Sequence, residues 1–363
     1  MYTQYLSAAK KNMALKKRIY NPYGKRVIGL IKVGIIGNGK IAKEHVAAYE
    51  KLTQKGKAVL EVFCDLCPEA MEGLKNVRIY TDWQEMLEKE RKKLDFIDIC
   101  LPTFLHKEVS VAAMEQGYHV LCEKPMARTE EDAIAMLETS KRTGKTLMIA
   151  HCSRFMLALQ KIHQLIQSGE LGKVRSAEFY RGSVDYTKTV DPNSWFYNGQ
   201  LSGGGMLDTH IHDVDLIRWL FGMPEAVSAM ASSVVTKGGF DAMTVNYIFP
   251  DGSFVNALCD WTISADKFNT RTTRVNFENG YIFCDRTPGR EAFVKVDRDG
   301  NTEEMTGHLG QAVYYHEIAY FVDCLEKGLP VTMCPPEETV DAIRITLAEI
   351  ESADRRGERI RIS

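Results

Sequence analysis

The chain has 363 residues, with 46 basic and 48 acidic side chains and a net charge of −2. That near-balance, with no long single-sign run beyond the N-terminus, excludes a nucleic-acid-binding footprint, and no apolar run is long enough to span a bilayer. Nine scattered cysteines, an odd number, suit a reducing cytoplasm rather than a disulfide framework.

Residues 1–31 form a basic extension that holds Lys10, Lys11, Lys16, Lys17, Arg18, Lys25 and Arg26 but no apolar core of signal-peptide type. It is read as peripheral. Lys32–Gly37 is a short β-branched run of buried-strand type, followed at once by Gly37-Asn38-Gly39-Lys40-Ile41-Ala42 and a helix over Ile41–Leu52. In such a strand–turn–helix unit the first glycine makes the turn, the second admits a pyrophosphate, and the helix N-terminus holds the phosphates.

The next strand, Ala58–Cys64, ends in Asp65, an acid 23 residues past Ala42 and suited to the adenine ribose hydroxyls. Leu66 and Cys67 follow it, so a 2′-phosphate would meet a carboxylate and no cation; NAD is favoured over NADP. Strands at Val77–Tyr80, Phe96–Leu101, Tyr118–Cys122 and Thr146–Ala150 alternate with helices at Trp83–Lys92, Glu108–Gln116 and Glu130–Thr143. The pattern predicts an α/β unit with a mainly parallel sheet over 32–150, whose ligands sit beyond the strand carboxyl ends. Pro102, Thr103, His106, Glu123 and Lys124 stand at those ends. Lys124, between a buried strand and Pro125, is expected beside a nicotinamide, where an ammonium favours a developing alkoxide; the bland alternative is a loop lysine.

After Ala150 the rhythm changes. A helix over Leu157–Ser168 precedes strands at Val174–Arg181, Ala226–Val235, Thr244–Phe249, Ser253–Trp261, Arg271–Glu278, Gly280–Asp285 and Glu291–Asp297, with Asp251-Gly252 and Asn279-Gly280 as hairpin turns. A second α/β domain over 151–363 with an open, mostly antiparallel sheet follows. Late helices are expected at Ala312–Glu326 and Pro336–Arg355, the C-terminal one packing back on the first domain. Within Ser202–Gly222, three glycines lead into a helix whose stripe is Leu207, Ile211, Val214, Leu216, Ile217 and Leu220. Asp208 and His212, four apart, share a face and suit proton transfer, although such pairs also occur as core hydrogen bonds. His210 diverges from both, so a metal site built on the three is not expected. Trp195, in the aromatic loop Asp191–Tyr197, suits stacking on a sugar face or packing at the rim.

GIIGNGKIA, ICLPTFLH, CEKP and GGGMLDTHIHDVDLIRWLFG, in this order, resemble the glucose–fructose oxidoreductase and inositol dehydrogenase (Gfo/Idh/MocA) family from about Lys32 to the C-terminus. The resemblance implies a Rossmann domain, a C-terminal open sheet that mediates homodimers or homotetramers, and oxidation of a hydroxyl on sugars, inositols or related polyols. It assigns Lys124, Asp208 and His212 to catalysis, with His212 as general acid/base and Asp208 orienting its ring. Thr103 and His106 would lie along NAD, and Arg154 and Trp195 would join Lys124, Asp208 and His212 around a carbohydrate-like substrate. His151–Phe155 lacks the Asn that often precedes Arg154. The alternatives left open are redox-assisted elimination or glycoside cleavage with recycled NAD, and a non-catalytic nucleotide sensor.

Overall fold

The computed structural model describes residues 19–20, 26–27, 29–67, 76–184, 194–263, 269–307 and 312–362. Of the basic extension only Ile19–Tyr20 and Arg26–Val27 (an antiparallel pair), Gly29 and Leu30 fall among them. Most of its lysines and arginines, and Asp191–Asn193 of the aromatic loop, lie outside the described residues.

The first domain runs β1 (Ile31–Ile36), α1 (Lys40–Gln54), β2 (Ala58–Cys64), β3 (Arg78–Tyr80), α2 (Trp83–Lys89), β4 (Phe96–Ile99), α3 (His106–Glu115), β5 (His119–Glu123), α4 (Glu130–Thr143) and β6 (Leu147–Ala150). All its strands pair parallel in the order β3-β2-β1-β4-β5-β6. The order reverses between β1 and β4, so the loops after these two strands part and leave a crevice at their carboxyl ends. Short strands such as FIDI, apolar but for Asp98, and LMIA are buried on both faces because helices cover both sides.

The second domain carries α5 (Leu157–Ser168), β7 (Val174–Val184), α6 (Ile211–Phe221), β8 (Ala226–Ser232), β9 (Ala242–Ile248), β10 (Phe254–Ile263), β11 (Asn269–Phe277), β12 (Gly280–Asp285), β13 (Ala292–Asp297), β14 (Thr302–Thr306), α7 (Val313–Lys327), α8 (Pro336–Asp354) and β15 (Ile360–Arg361). Its sheet is ordered β14-β13-β12-β11-β7-β10-β9-β8-β15 and is antiparallel except where β7 meets β10. Alternate residues (Phe179, Val245, Ala257, Val275) face the helices and are buried, whereas their neighbours face outward. The polar β14 and the two-residue β15 are edge strands without a strong periodic signal.

The helix expected over Ser202–Gly222 is broken. A single turn at Gly199–Ser202 ends in Gly203 at φ +82°, a π turn occupies Met206–His210, and α6 begins only at Ile211. The break has a packing cause. A Cβ on Gly204, itself at φ +68°, would lie 3.0 Å from the Gly239 Cα, and the Gly205 N–H donates to the Phe240 carbonyl at 2.7 Å. The glycines therefore admit another stretch of backbone.

Late helices tie the halves together. Ile318, Phe321 and Val322 of α7 share a core with Tyr49 and Leu52 of α1 and Phe96 of β4. Lys57 pairs with Asp323 and Glu326 at 3.4 and 2.6 Å. Arg344 of α8 holds Glu130 at the start of α4. Among the described residues no helix is long and apolar enough to cross a membrane.

Candidate active site

The crevice is lined first by the turn after β1. Gly37 sits at φ +100°, and a Cβ there would lie 2.5 Å from the Cys100 carbonyl oxygen, so only glycine fits against the neighbouring strand end. Gly39 caps α1 without a side-chain bond, and no acid stands in the first turn, which leaves the N–H groups and the positive end of the helix dipole open to an anion. Lys40 and Ile41 open that turn. Asp65, just past β2, accepts from the Asn38 N–H at 2.7 Å and from the Cys67 N–H at 2.9 Å. A glycine cradle, an uncapped helix start and a carboxylate at the next strand fit the pyrophosphate and ribose of a dinucleotide.

Beyond β4, Pro102 and buried Thr103 begin a single helical turn, Thr103–Leu105. His106 does not turn its ring to the crevice: its nitrogens lie 2.8 Å from the Pro125 carbonyl and 2.8 Å from the Leu101 carbonyl. Burial lowers its pKa. Its ring thus lies between the loop after β4 and the loop after β5. Glu123 is held by protein groups likewise. Its buried carboxylate lies 3.1 Å from His45 Nε2 and accepts from the Lys124 N–H at 3.2 Å, so it braces the lysine from behind.

That brace continues inward. His45 Nδ1 lies 2.8 Å from Asp98 Oδ2, and the Tyr49 hydroxyl donates to the same oxygen at 2.7 Å. Burial opposes a charged ring, yet Asp98 and its hydrogen bond hold the His45 pKa well above its usual value. An imidazolium between two carboxylates satisfies all three groups. These residues were missed in the sequence reading, although His45 and Tyr49 occupy the buried stripe of α1 and Asp98 interrupts an apolar strand. His45, Asp98 and Cys100 are the one group among the described residues close enough to share a metal ion. The direct hydrogen bonds between them already fill that role.

Lys124 spans the two domains. Its Nζ donates to the Asp208 carbonyl at 2.7 Å and to Asp208 Oδ1 at 3.3 Å, with both side chains largely buried. The π turn presents this carbonyl: the Ile211 N–H bonds back five residues to Met206. His212 follows on α6. Its Nδ1 is buried with no hydrogen-bond partner, and its pKa falls well below the usual value, first through burial and then through the nearby Lys124 and Arg181 charges. It is a neutral imidazole at neutral pH. Asp208 was expected to orient this ring; instead its carboxylate holds Lys124 and accepts from the Thr209 hydroxyl at 3.2 Å. His151, also buried and without a hydrogen bond, lies with Nδ1 3.6 Å from Asp215 Oδ2 and adds a second imidazole whose charge would bear on His212.

Arg154 is the clearest correction. It was expected to touch substrate, but it is wholly buried, with Nε and Nη2 on the Asp215 carboxylate at 2.9 and 2.7 Å and Nη1 on Glu338 at 2.6 Å. It joins β6, α6 and α8. His210 is buried against Tyr247, Nε2 to hydroxyl 2.9 Å, pointing away from Lys124. Trp195 is half-buried and stands edge-on to Phe104 of the first domain, ring centroids 6.4 Å apart, so an aromatic pair rims the crevice.

Comparison with known proteins agrees with this fold. Residues 31–151 match the oxidoreductase family, NAD-binding Rossmann fold, and residues 159–283 match the GFO/IDH/MocA C-terminal domain. A levoglucosan dehydrogenase from Pseudarthrobacter phenanthrenivorans is 30% identical over 59% of this chain and 58% of its own length. A D-glucoside 3-dehydrogenase from Escherichia coli is 31% identical over 76% of this chain and 81% of its own. A solved levoglucosan dehydrogenase in complex with NADH superposes with a TM-score of 0.81, 21% identity, over 92% of this chain and 99% of that one. At that identity the likeness speaks for the fold.

Proposed function

The chain belongs to the GFO/IDH/MocA oxidoreductase family, whose N-terminal half is an NAD-binding Rossmann fold, and from that premise we propose that it oxidises a secondary alcohol of a carbohydrate-like substrate. The observation that carries the reading is the Lys124 ammonium of one domain bonded to Asp208 of the other, beside an unprotonated His212. The names of the dehydrogenases it resembles support a sugar or glycoside as substrate.

Gly37, Asn38, Gly39, Lys40 and Ile41 would hold the pyrophosphate, Asp65 the ribose, and Pro102 and Thr103 the approach to the nicotinamide. When bound, NAD supplies the hydride acceptor. His212 takes the hydroxyl proton, and its low pKa keeps it ready as a base. Lys124 holds the same oxygen and stabilises its developing negative charge. Asp208 fixes the lysine. The outward face of the second sheet exposes Met230, Phe254, Leu258 and Tyr281, an apolar patch that supports a homo-oligomer formed through this sheet.

The test is incubation with NAD and sugars, polyols, glycosides and sugar acids, following nicotinamide absorbance and product in parallel. Net NADH supports dehydrogenation; product without it assigns the machinery to a transient oxidation. His212→Ala should lower turnover by about 10²–10⁴-fold with NAD affinity intact. Unchanged turnover in that variant refutes the assignment.

A further inference from the structure

On the inner face of the second sheet, beside the site, stand three arginines and one carboxylate. Arg181 of β7 clasps Asp213, the residue after His212, with Nε to Oδ2 at 2.6 Å and Nη2 to Oδ1 at 2.8 Å. Arg286, just past β12, is buried; its Nη2 donates to the Thr273 hydroxyl at 3.0 Å and lies 3.8 Å from Asp213 Oδ1. Arg271 of β11 is the direct register partner of Arg181 and shares a face with buried Thr273.

Arg271 is the surplus. Among the described residues no carboxylate pairs with its guanidinium, its Nε is buried without a partner, and so is that of Arg286. Asp213 is held down to about 2 by Arg181, against the opposing effect of burial, so it carries one full negative charge. One such charge offsets one of the three guanidiniums. Burial and the repulsion of Arg181 and Arg286 bring the Arg271 pKa down to about 10, the behaviour of a cation lacking its counter-ion. Its field reaches both His212 on α6 and Cys152 at the end of β6, the two sides of the crevice around Lys124.

We propose that the substrate is an anionic carbohydrate whose carboxylate or phosphate seats on Arg271, with Arg286 behind it, while its hydroxyl faces Lys124 and His212. The inference rests on the hydride-transfer reading for the hydroxyl but not for the anion. A neutral sugar would leave the desolvated Arg271 guanidinium without a counter-ion. An oxyanion accepts from the planar fork of Arg271 and relieves its repulsion.

The experiment uses the full chain with NAD and matched trios in the gluco, galacto and manno series: the neutral sugar, its uronic acid and its 6-phosphate. The best anion should exceed its neutral partner in kcat/KM by about 10- to 100-fold; which anion wins separates carboxylate from phosphate. In Arg271→Met that ratio should fall at least about tenfold. The thermal midpoint of the free variant should hold or rise, since an unpaired cation has been removed, and stabilisation by the anion should vanish. Neutral sugars equal to both anions, a ratio that survives the substitution, or a midpoint that drops by several degrees would each overturn the proposal. Should no compound yield NADH or product, the hydride-transfer reading fails alone, and Arg271-dependent stabilisation by uronate or sugar phosphate still decides this one.

Discussion

Lys124→Met tests the interdomain contact most directly. Methionine keeps the length of the stem and removes the donors that reach the Asp208 carbonyl and carboxylate at 2.7 and 3.3 Å. Under the proposed role the ammonium binds the alkoxide more strongly than the alcohol. Loss of one such preorganised donor typically lowers kcat by about 10²–10³-fold, or about 2.7–4 kcal/mol. The lysine charge also depresses the His212 pKa, second only to burial. His212 works as a base in its neutral form, so oxidation is present above its pKa and lost below it. Removing a neighbouring positive charge raises that pKa, and the acidic limb of kcat/KM for the sugar, at saturating NAD, must move to higher pH. NAD affinity by fluorescence quenching should stay near the wild-type value. A kcat within about tenfold of wild type, or a limb that moves to lower pH, refutes the reasoning.

Arg154→Met should cost about 3–5 kcal/mol of stability, because it leaves the Asp215 carboxylate buried without its cation; a urea midpoint at the wild-type value would return Arg154 to the substrate. Asp65→Asn keeps an acceptor for the Asn38 N–H but removes the negative charge at the ribose end. The ratio of kcat/KM for NADP to that for NAD should rise by about tenfold or more, and an unchanged ratio would show that Asp65 does not set cofactor choice.

The first domain was legible because each of its cues is local. Apolar runs such as LMIA alternate with amphipathic helices, the glycine turn follows a strand directly, and Lys124 is bracketed by a strand and a proline. What escaped reading depends on partners far away in the chain. Arg154 has the look of a substrate arginine until Asp215 and Glu338, 61 and 184 residues on, are seen to occupy it. The Arg181–Asp213 pair and the register of Arg271 beside Arg181 are likewise products of sheet topology. Ser202–Gly222 was read as one helix because its apolar spacing is continuous from Leu207. The loop at Gly239–Phe240, which packs its backbone against Gly204 and Gly205, leaves no mark in that spacing.

The hold that Asp208 keeps on Lys124 has an arithmetic of its own. An ammonium has three N–H bonds, and two of them point at Asp208 before any sugar arrives. Among the described residues no group takes the third, which leaves a single vacancy. An incoming hydroxyl meets a donor whose direction is already chosen, and it gains that donor without reorganising the chain around it. Under the proposed role, the ring hydroxyl that fits this lone vacancy would be the one set up to react, and the choice among chemically similar carbons would fall to a lysine with one hand free.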